Sequence, residues 1–439
     1  MMLKYLKKFT LDSFFRNVVV LARGTVISQI LILLTLPLIT RFYNPSEYGV
    51  YSMYTSIISI MLMLVSFSYE NAITLPREDR VASSILSLSL RICVFVSLLG
   101  GIGVYFLANP LSVWTNEPDI KEYFAFFFFS LLFGGIYQIL NAWSIRKKYF
   151  KQISRTKYTQ SISLVSSQLI FSGIGMGPLG LIIGDVIGRL GGLIPQWRLW
   201  RKDIDKQSIK VTREEIKESA YRYRRFPMFS TASNLLNSLG IYLPTILLAA
   251  FYGPQVAGWF ALGQRILGSP MTLITTSVMS VYLSESSQYM LHSPHKMYPL
   301  FIKTARNVFL IGVAIVLVMV FIAPSTFSFL FGNEWEKSGQ FVRILGFMYL
   351  SQFVANSVGT TIDVMERQDL HLYREIIRTT IVLGAILLAK YTGQDAVTAV
   401  MYFSTAATLG YIIHFGMSWT AIKKYRYLEE ETQEVERGI

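Results

Sequence analysis

Arg23, in LARGTVISQ, and Arg265, in ALGQRILGSP, each interrupt a long apolar run. Neither has an acidic residue three or four positions away. Arginine keeps its proton under nearly all conditions, and its planar fork matches the oxygens of a phosphate. A charge placed in apolar surroundings is costly and usually faces a helix-bundle interior or a wet cavity. Two such arginines would suit an anionic head group, a phosphate or a pyrophosphate. The other reading is structural: each guanidinium donates to carbonyls of a neighbouring helix.

Further candidates fall into four kinds. Asp185 and Arg189 are four apart in GDVIGRLGG, a spacing that allows a neutralising pair on one helix face. Such a pair either locks the helix in place or lines a cavity, and Arg91 is open between the same readings. Arg343 and Arg378 lie near the ends of their apolar runs, where a long side chain snorkels to the head groups. Ser230, Asn234 and Ser238 recur at i, i+4 and i+8, with Asn237 beside them, and Gln29 and Gln264 sit in other apolar runs. Amides and hydroxyls bind sugar hydroxyls, and equally lock helix to helix in lipid. Glu70 follows Tyr69 at the end of an apolar run, either facing a cavity or solvated at the interface.

The elements that must carry these residues follow from composition. The chain has 439 residues, 52% hydrophobic and 15% charged, against about a quarter charged in an ordinary soluble domain. Ile92–Asn116 and Tyr123–Ile145 contain no charge at all. A helix needs about 20 apolar residues to cross a bilayer. The pattern predicts spans over 17–40, 48–69, 82–107, 122–143, 158–176 and 179–197, then over 228–250, 256–284, 307–323, 340–362, 375–389 and 397–421. The first is too long for a signal-peptide core and reads as a retained span. The fold class is an all-α membrane protein of twelve transmembrane helices. Residues 1–200 form one six-helix bundle, 201–226 a cytoplasmic linker and 227–439 a second bundle.

Lysine and arginine placement tests this map, because cytoplasmic loops carry an excess of both. With the N-terminus inside, 31 of the 41 fall in inside segments, against four outside: Arg41, Lys121, Lys337 and Lys390. Both termini are therefore expected in the cytoplasm. The net charge of +14 is then mainly a topology signal. It is spread over many loops, which speaks against nucleic acid as a partner.

The halves repeat a hairpin. Tyr43, Pro45, Gly49 and Tyr51 of FYNPSEYGVY fall on Tyr252, Pro254, Gly258 and Phe260 of FYGPQVAGWF, at a constant offset of 209. Pro45 and Pro254 end a helix and fix φ in each turn, glycine lets helices approach closely, and Tyr43, Tyr48, Tyr51, Tyr252 and Trp259 are expected at the outer interface. An even number of spans per half makes this a parallel internal repeat, two bundles around a central cleft.

Signs of catalysis are sparse. Glu117 with Asp119 and Glu334 with Glu336 are acids two apart on short loops, too little for the base or metal pair of a glycosyltransferase. His292 and His295 have no cysteine near, and the lone Cys93 lies in an apolar run, so neither a metal site nor a disulfide framework is expected. No phosphate-cradling glycine loop precedes a helix. The reading is a non-enzyme without cofactors.

Three stretches carry a resemblance. GTVISQILILLTLPLITRFYNPSEYGVYS, ENAITLPREDRVASSI and YRRFPMFSTASNLLNSLGIYLPTILLAAFYGPQVAGWFALGQRILGSPMTLI resemble the first span and hairpin, the first cytoplasmic loop and the start of the second half of bacterial O-antigen-type polysaccharide flippases. These belong to the large group that includes multidrug exporters and lipid II flippases. The likeness runs through about Ser284 and weakens beyond it. It implies alternating access, a bacterial cytoplasmic-membrane location and a substrate made of an oligosaccharide on polyprenyl pyrophosphate. It also implies a polysaccharide polymerase and glycosyltransferases as partners. Lipid II flippases have arginines lining a cationic cavity in their first and eighth spans, and Arg23 and Arg265 are similar in placement. Fourteen spans in those relatives against twelve here favour the O-antigen type. A multidrug or cation exporter is the alternative on the same fold. It should carry buried carboxylates for cations and protons, and the only deeply placed acid in the predicted spans is Asp185, with Arg189 beside it.

Overall fold

The computed structural model describes residues 13–115, 120–207, 211–365 and 367–437, and its regular structure is helical throughout. Lys4, Lys7 and Lys8 of the basic N-terminus and the acids Glu117 and Asp119 lie outside the described residues. The helices are α1 (Ser13–Phe42), α2 (Pro45–Leu62), α3 (Asp79–Thr115), α4 (Ile120–Arg146), α5 (Phe150–Gly173), α6 (Pro178–Gln207) and α7 (Arg213–Arg222). They continue as α8 (Thr231–Tyr252), α9 (Pro254–His292), α10 (Met297–Phe331), α11 (Glu336–Ser357), α12 (Thr361–Val364), α13 (Gln368–Tyr391) and α14 (Ala396–Arg437).

Among the described residues, nine helices are long and apolar enough to cross a membrane. The predicted spans over 48–69, 158–176 and 375–389 correspond to α2, α5 and α13, which are helical but fall outside the nine. The cause is composition. Helix α5 opens on FKQISRTKYTQS and α13 on QDLHLYREIIR, while α2 is short and rich in tyrosine and serine.

The chain divides into two compact units, Met1–Ser238 and Leu239–Ile439. In the first, α5 packs on α6 and on α1, and α4 packs on α3 and α6. Its core gathers Val65, Ile73, Ile85, Leu86, Cys93, Ile139 and Trp143. In the second, α11 is central, touching α9, α10 and α14, and α13 lies on α14. Tyr282, Met297, Phe301, Val358 and Ile422 form a core there.

The two copies of the hairpin are built differently. In the first, Asn44 accepts from the Glu47 N–H while the Glu47 carboxylate accepts from the Asn44 N–H, a reciprocal cap on α2 with Pro45 in its first turn. In the second, Gly253 holds the equivalent position at φ +91°, a conformation open to glycine and strained for other residues. Most of the hairpin rings expected at the outer interface face protein instead, with Tyr252 half-buried. Tyr43, Tyr48, Tyr51 and Trp259 are buried inside the helix packing. Buried rings need partners for their polar tips: Tyr43 donates to the Gln168 carbonyl at 3.1 Å and Trp259 to that of Glu334 at 2.7 Å.

Candidate functional site

Each unit is built around polar side chains held inside apolar helix packing. In the first unit, the glycines of GDVIGRLGG decide the geometry. Gly184 and Gly188 of α6 face Gln168 and Leu164 of α5, and a side chain at either position would collide with them. With that face committed to α5, Asp185 and Arg189 are presented elsewhere and bond to each other, Arg189 Nε to Asp185 Oδ2 at 2.6 Å. Both are largely buried. The Arg189 guanidinium lies over Gly134 of α4, where a methyl would sit 2.7 Å from Nη1. The pair is thus neutralised within one helix and seated on its neighbour.

Glu70 is neither solvated nor open to a cavity. It is buried, accepts from the Ser66 hydroxyl, and takes the Gln138 amide at 2.9 Å. The turn before it is strained: Phe67 and Ser68 have φ of +48° and +58°, each costing on the order of 1–2 kcal/mol outside glycine. The Ser68 hydroxyl accepts from Thr231 at 3.1 Å and from the Asn234 amide at 3.4 Å. Asn234 therefore clamps the turn that carries Glu70. Gln138, Ser66, Ser68 and Thr231 were not among the sequence-level candidates. Their signal is faint: Gln138 is a single amide between apolar neighbours in an aromatic-rich span.

Arg23, Arg91 and Gln29 are not drawn into this network. Arg23 is exposed on α1 and makes no hydrogen bond or ion pair among the described residues. It heads a stripe of exposed apolar side chains, Ile27, Ile30, Leu34 and Leu38, at helical spacing. Next to it, Gly24 is pressed against Ser154 of α5, which fixes which face of α1 is covered. Arg91 is likewise exposed on α3 above Val94, Phe95, Leu98 and Ile102. Gln29 is half-buried and Asn237 exposed.

In the second unit, Arg265 and Gln264 are half-buried on α9, and the Gln264 carbonyl accepts from Tyr349 at 3.2 Å. The densest polar cluster there is one that spacing did not reveal. Arg378 is 7% exposed rather than snorkelling. Its Nη2 lies 2.6 Å from Glu375, its Nη1 3.4 Å from the Tyr411 hydroxyl, and its guanidinium sits over the Tyr411 ring. Glu375 also accepts from Arg374 at 2.5 Å, and Arg374 Nη1 lies 3.0 Å from His414 Nε2. Tyr411 and His414 stand on α14, so the cluster ties α13 to α14. Arg343 stays exposed, as a snorkelling side chain does, and has a partner as well. Its Nε donates to the Val320 carbonyl at 2.8 Å. Pro324 lies four residues on from Val320 in α10 and has no N–H to offer that carbonyl, so Arg343 fills the gap.

The chemistry follows from this division. The buried carboxylates Asp185, Glu70 and Glu375 are each satisfied by neighbours in their own unit. Arg23 and Arg91 present cations at apolar faces. No group of three or more histidine, cysteine or carboxylate side chains that could hold a metal is found among the described residues.

Comparison with known proteins agrees with this architecture. Residues 38–340 match the family described as polysaccharide biosynthesis protein. The amylovoran biosynthesis protein AmsL of Erwinia amylovora is 19% identical over 301 residues, covering 66% of this chain and 74% of its own. The succinoglycan biosynthesis transport protein ExoT of Rhizobium meliloti (strain 1021) is 19% identical over 372 residues, covering 82% and 71%. Among solved structures, the inward closed conformation of the lipid II flippase MurJ superposes with a TM-score of 0.73 at 11% identity, covering 94% of this chain and 93% of that one. An inward-facing multidrug resistance MATE transporter gives 0.68 at 15% identity, covering 93% and 94%. The chain belongs to the polysaccharide biosynthesis protein family, as a multi-helix membrane member with the fold shared by a lipid flippase and by drug exporters.

Proposed function

We propose that this protein is a flippase that carries a polyprenyl-pyrophosphate-linked oligosaccharide from the inner to the outer leaflet of the bacterial cytoplasmic membrane. It works by alternating access, with twelve spans in two six-helix bundles and both termini in the cytoplasm. Arg23 is the observation that carries the reading. A cation at the head of the apolar stripe Ile27–Ile30–Leu34–Leu38 is complementary to an amphiphile whose phosphate meets the guanidinium and whose hydrocarbon lies along the helix. From Arg23 to Leu38 the stripe runs about 22 Å at 1.5 Å per residue. The relatives named for polysaccharide biosynthesis and transport support the same substrate class. A cation exporter on this fold would need an available carboxylate at depth. Asp185, Glu70 and Glu375 are each engaged by internal donors. Arg265, Arg91, Gln264, Gln29 and Asn237 are assigned to substrate contact on the same reading.

The test is a deletion strain. Lipid-linked glycan is expected to accumulate in the inner leaflet, with surface polysaccharide lost. Arg23→Ala should leave the protein in the membrane and lower export by at least about tenfold, one charge-assisted phosphate contact, while Arg23→Lys retains part. Normal export by Arg23→Ala removes the arginine from the mechanism. Unchanged glycan distribution in the deletion strain, with altered drug tolerance, supports the exporter instead.

A further inference from the structure

The segment from Tyr221 to Phe229 leads from α7 into α8 and has a firm inner side and an unusual outer one. On the inner side, Tyr223 and Phe226 pack against the core of the first unit. The Ala220 carbonyl accepts from Tyr69 at 3.0 Å, fixing the end of α7. Phe226–Ser230 then forms a single π-helical turn, a feature often found at functional positions. The outer side combines charge and oil. Arg222, Arg224 and Arg225 are exposed, and Tyr221, Met228 and Phe229 are 69%, 63% and 68% exposed.

The arginines differ. Arg224 stacks on Tyr221, its guanidinium carbon 4.4 Å from the ring centroid. Stacking holds the fork still and leaves its N–H edges free to donate. Arg225 is the next residue, at the mouth of the π turn. Arg222 stacks more loosely on Tyr223, 5.6 Å from the ring centroid, and borders a cavity of about 130 Å³ shared with Arg80, Glu78, Glu215 and Glu218. Arg80 pairs with Glu215, and the other two carboxylates offset the Arg222 charge. Met228 and Phe229 follow at the start of a membrane-length apolar helix, Phe226–Tyr252. Cations directly before exposed oil, on a rigid base, match an amphiphile with more than one negative charge in its head.

We propose that Arg224 and Arg225 form a docking site for the pyrophosphate of a polyprenyl-pyrophosphate lipid, with Met228 and Phe229 receiving the first isoprene units. The site recruits the lipid from the inner leaflet. This rests on the flippase reading, and it adds a recruitment step distinct from Arg23. A diphosphate head satisfies two adjacent forks, whereas a phospholipid phosphate carries a single charge.

The experiment uses the full chain in nanodiscs of zwitterionic lipid, with binding of a sugar-free polyprenyl pyrophosphate as the readout. Polyprenyl monophosphate, inorganic pyrophosphate and phosphatidylglycerol serve as competitors. The wild type is expected to bind the probe, with the monophosphate competing weakly and phosphatidylglycerol hardly at all. Arg224→Ala/Arg225→Ala should weaken binding by at least about tenfold, and Arg222→Ala by less than about twofold. The single variants Arg224→Gln and Arg225→Gln keep side-chain length and should each lose at least about threefold, which covers the case of a misfolded double variant. Wild-type affinity in the single variants overturns the dock while leaving the flippase reading intact, provided Arg23→Ala still blocks export. Equal displacement by phosphatidylglycerol overturns it in favour of a general anionic-lipid anchor. Equal displacement by inorganic pyrophosphate overturns the role of Met228 and Phe229. No probe binding by the wild type removes both the dock and the substrate class proposed for the protein.

Discussion

At the scale of single residues, arginine plays different parts according to what surrounds it. Arg189 and Arg378 are neutralised by acids on their own helices, at i−4 and i−3. Arg343 is spent on the Val320 carbonyl that Pro324 leaves without a donor. That assignment predicts coupling. Arg343→Ala should destabilise the protein by about 1–3 kcal/mol, since a carbonyl in apolar surroundings loses its donor. In a Pro324→Ala background the same change should cost much less, because the new backbone N–H bonds that carbonyl instead. Thermal unfolding of the four proteins in detergent measures the cycle, and additive effects would disprove the link. The sequence allowed Arg343 and Arg378 to be read as snorkelling, because both lie near span ends. What it could not display was their distant partners. Val320 is 23 residues from Arg343 and Tyr411 is 33 from Arg378, pairings that only helix packing creates, whereas Glu375, three residues before Arg378 on the same helix, was within reach of a spacing argument. The Asp185–Arg189 pair was legible, because its partners share one helix face.

At the scale of elements, helices were readable wherever apolar runs and start signals coincide. The reciprocal cap at Asn44 and Glu47 is written in NPSE, and both hairpin prolines begin helices. The orientation of the hairpin rings was not legible. A tyrosine that reaches a carbonyl inside the bundle looks in sequence like one that reaches a head group. Helix α14 offers a test of capping. Asp395 accepts from the Thr398 N–H at 3.0 Å. The bonds from Thr398 hold its carboxyl below the ordinary carboxylate value. A depressed folded value means the stabilisation is fully present above the unfolded value and fades as pH falls through the folded one. Asp395→Ala should therefore cost about 1 kcal/mol at neutral pH, and the gap to wild type should close below about pH 4. Asp395→Asn should keep most of the cap and lose its pH dependence. Unfolding temperatures across that range decide the matter. A gap that persists in acid would show that the carboxylate is not the group responsible.

At the scale of the whole molecule, charge separates two roles. Carboxylates within the helix packing are consumed by structure, and Arg23 and Arg91 stand at apolar faces of the first unit. The excess of lysine and arginine in alternate connections set the predicted topology, yet it hid the local meaning of Arg224 and Arg225, which looked like two more loop cations. Their significance depends on Tyr221 stacking and on Met228 and Phe229 standing beside them. The polar network around Glu70 was invisible for a related reason: Ser66, Gln138 and Asn234 come from three separate stretches.

The most direct measurement is leaflet transfer in proteoliposomes. Purified protein is reconstituted with a polyprenyl-pyrophosphate-linked oligosaccharide, and a membrane-impermeant glycosidase reports the glycan that reaches the outer face. Wild-type protein should speed transfer well above protein-free vesicles, Arg23→Ala should bring it near that background, and a cationic dye should not be moved. Transport of the dye with no transfer of the lipid-linked glycan would contradict the account.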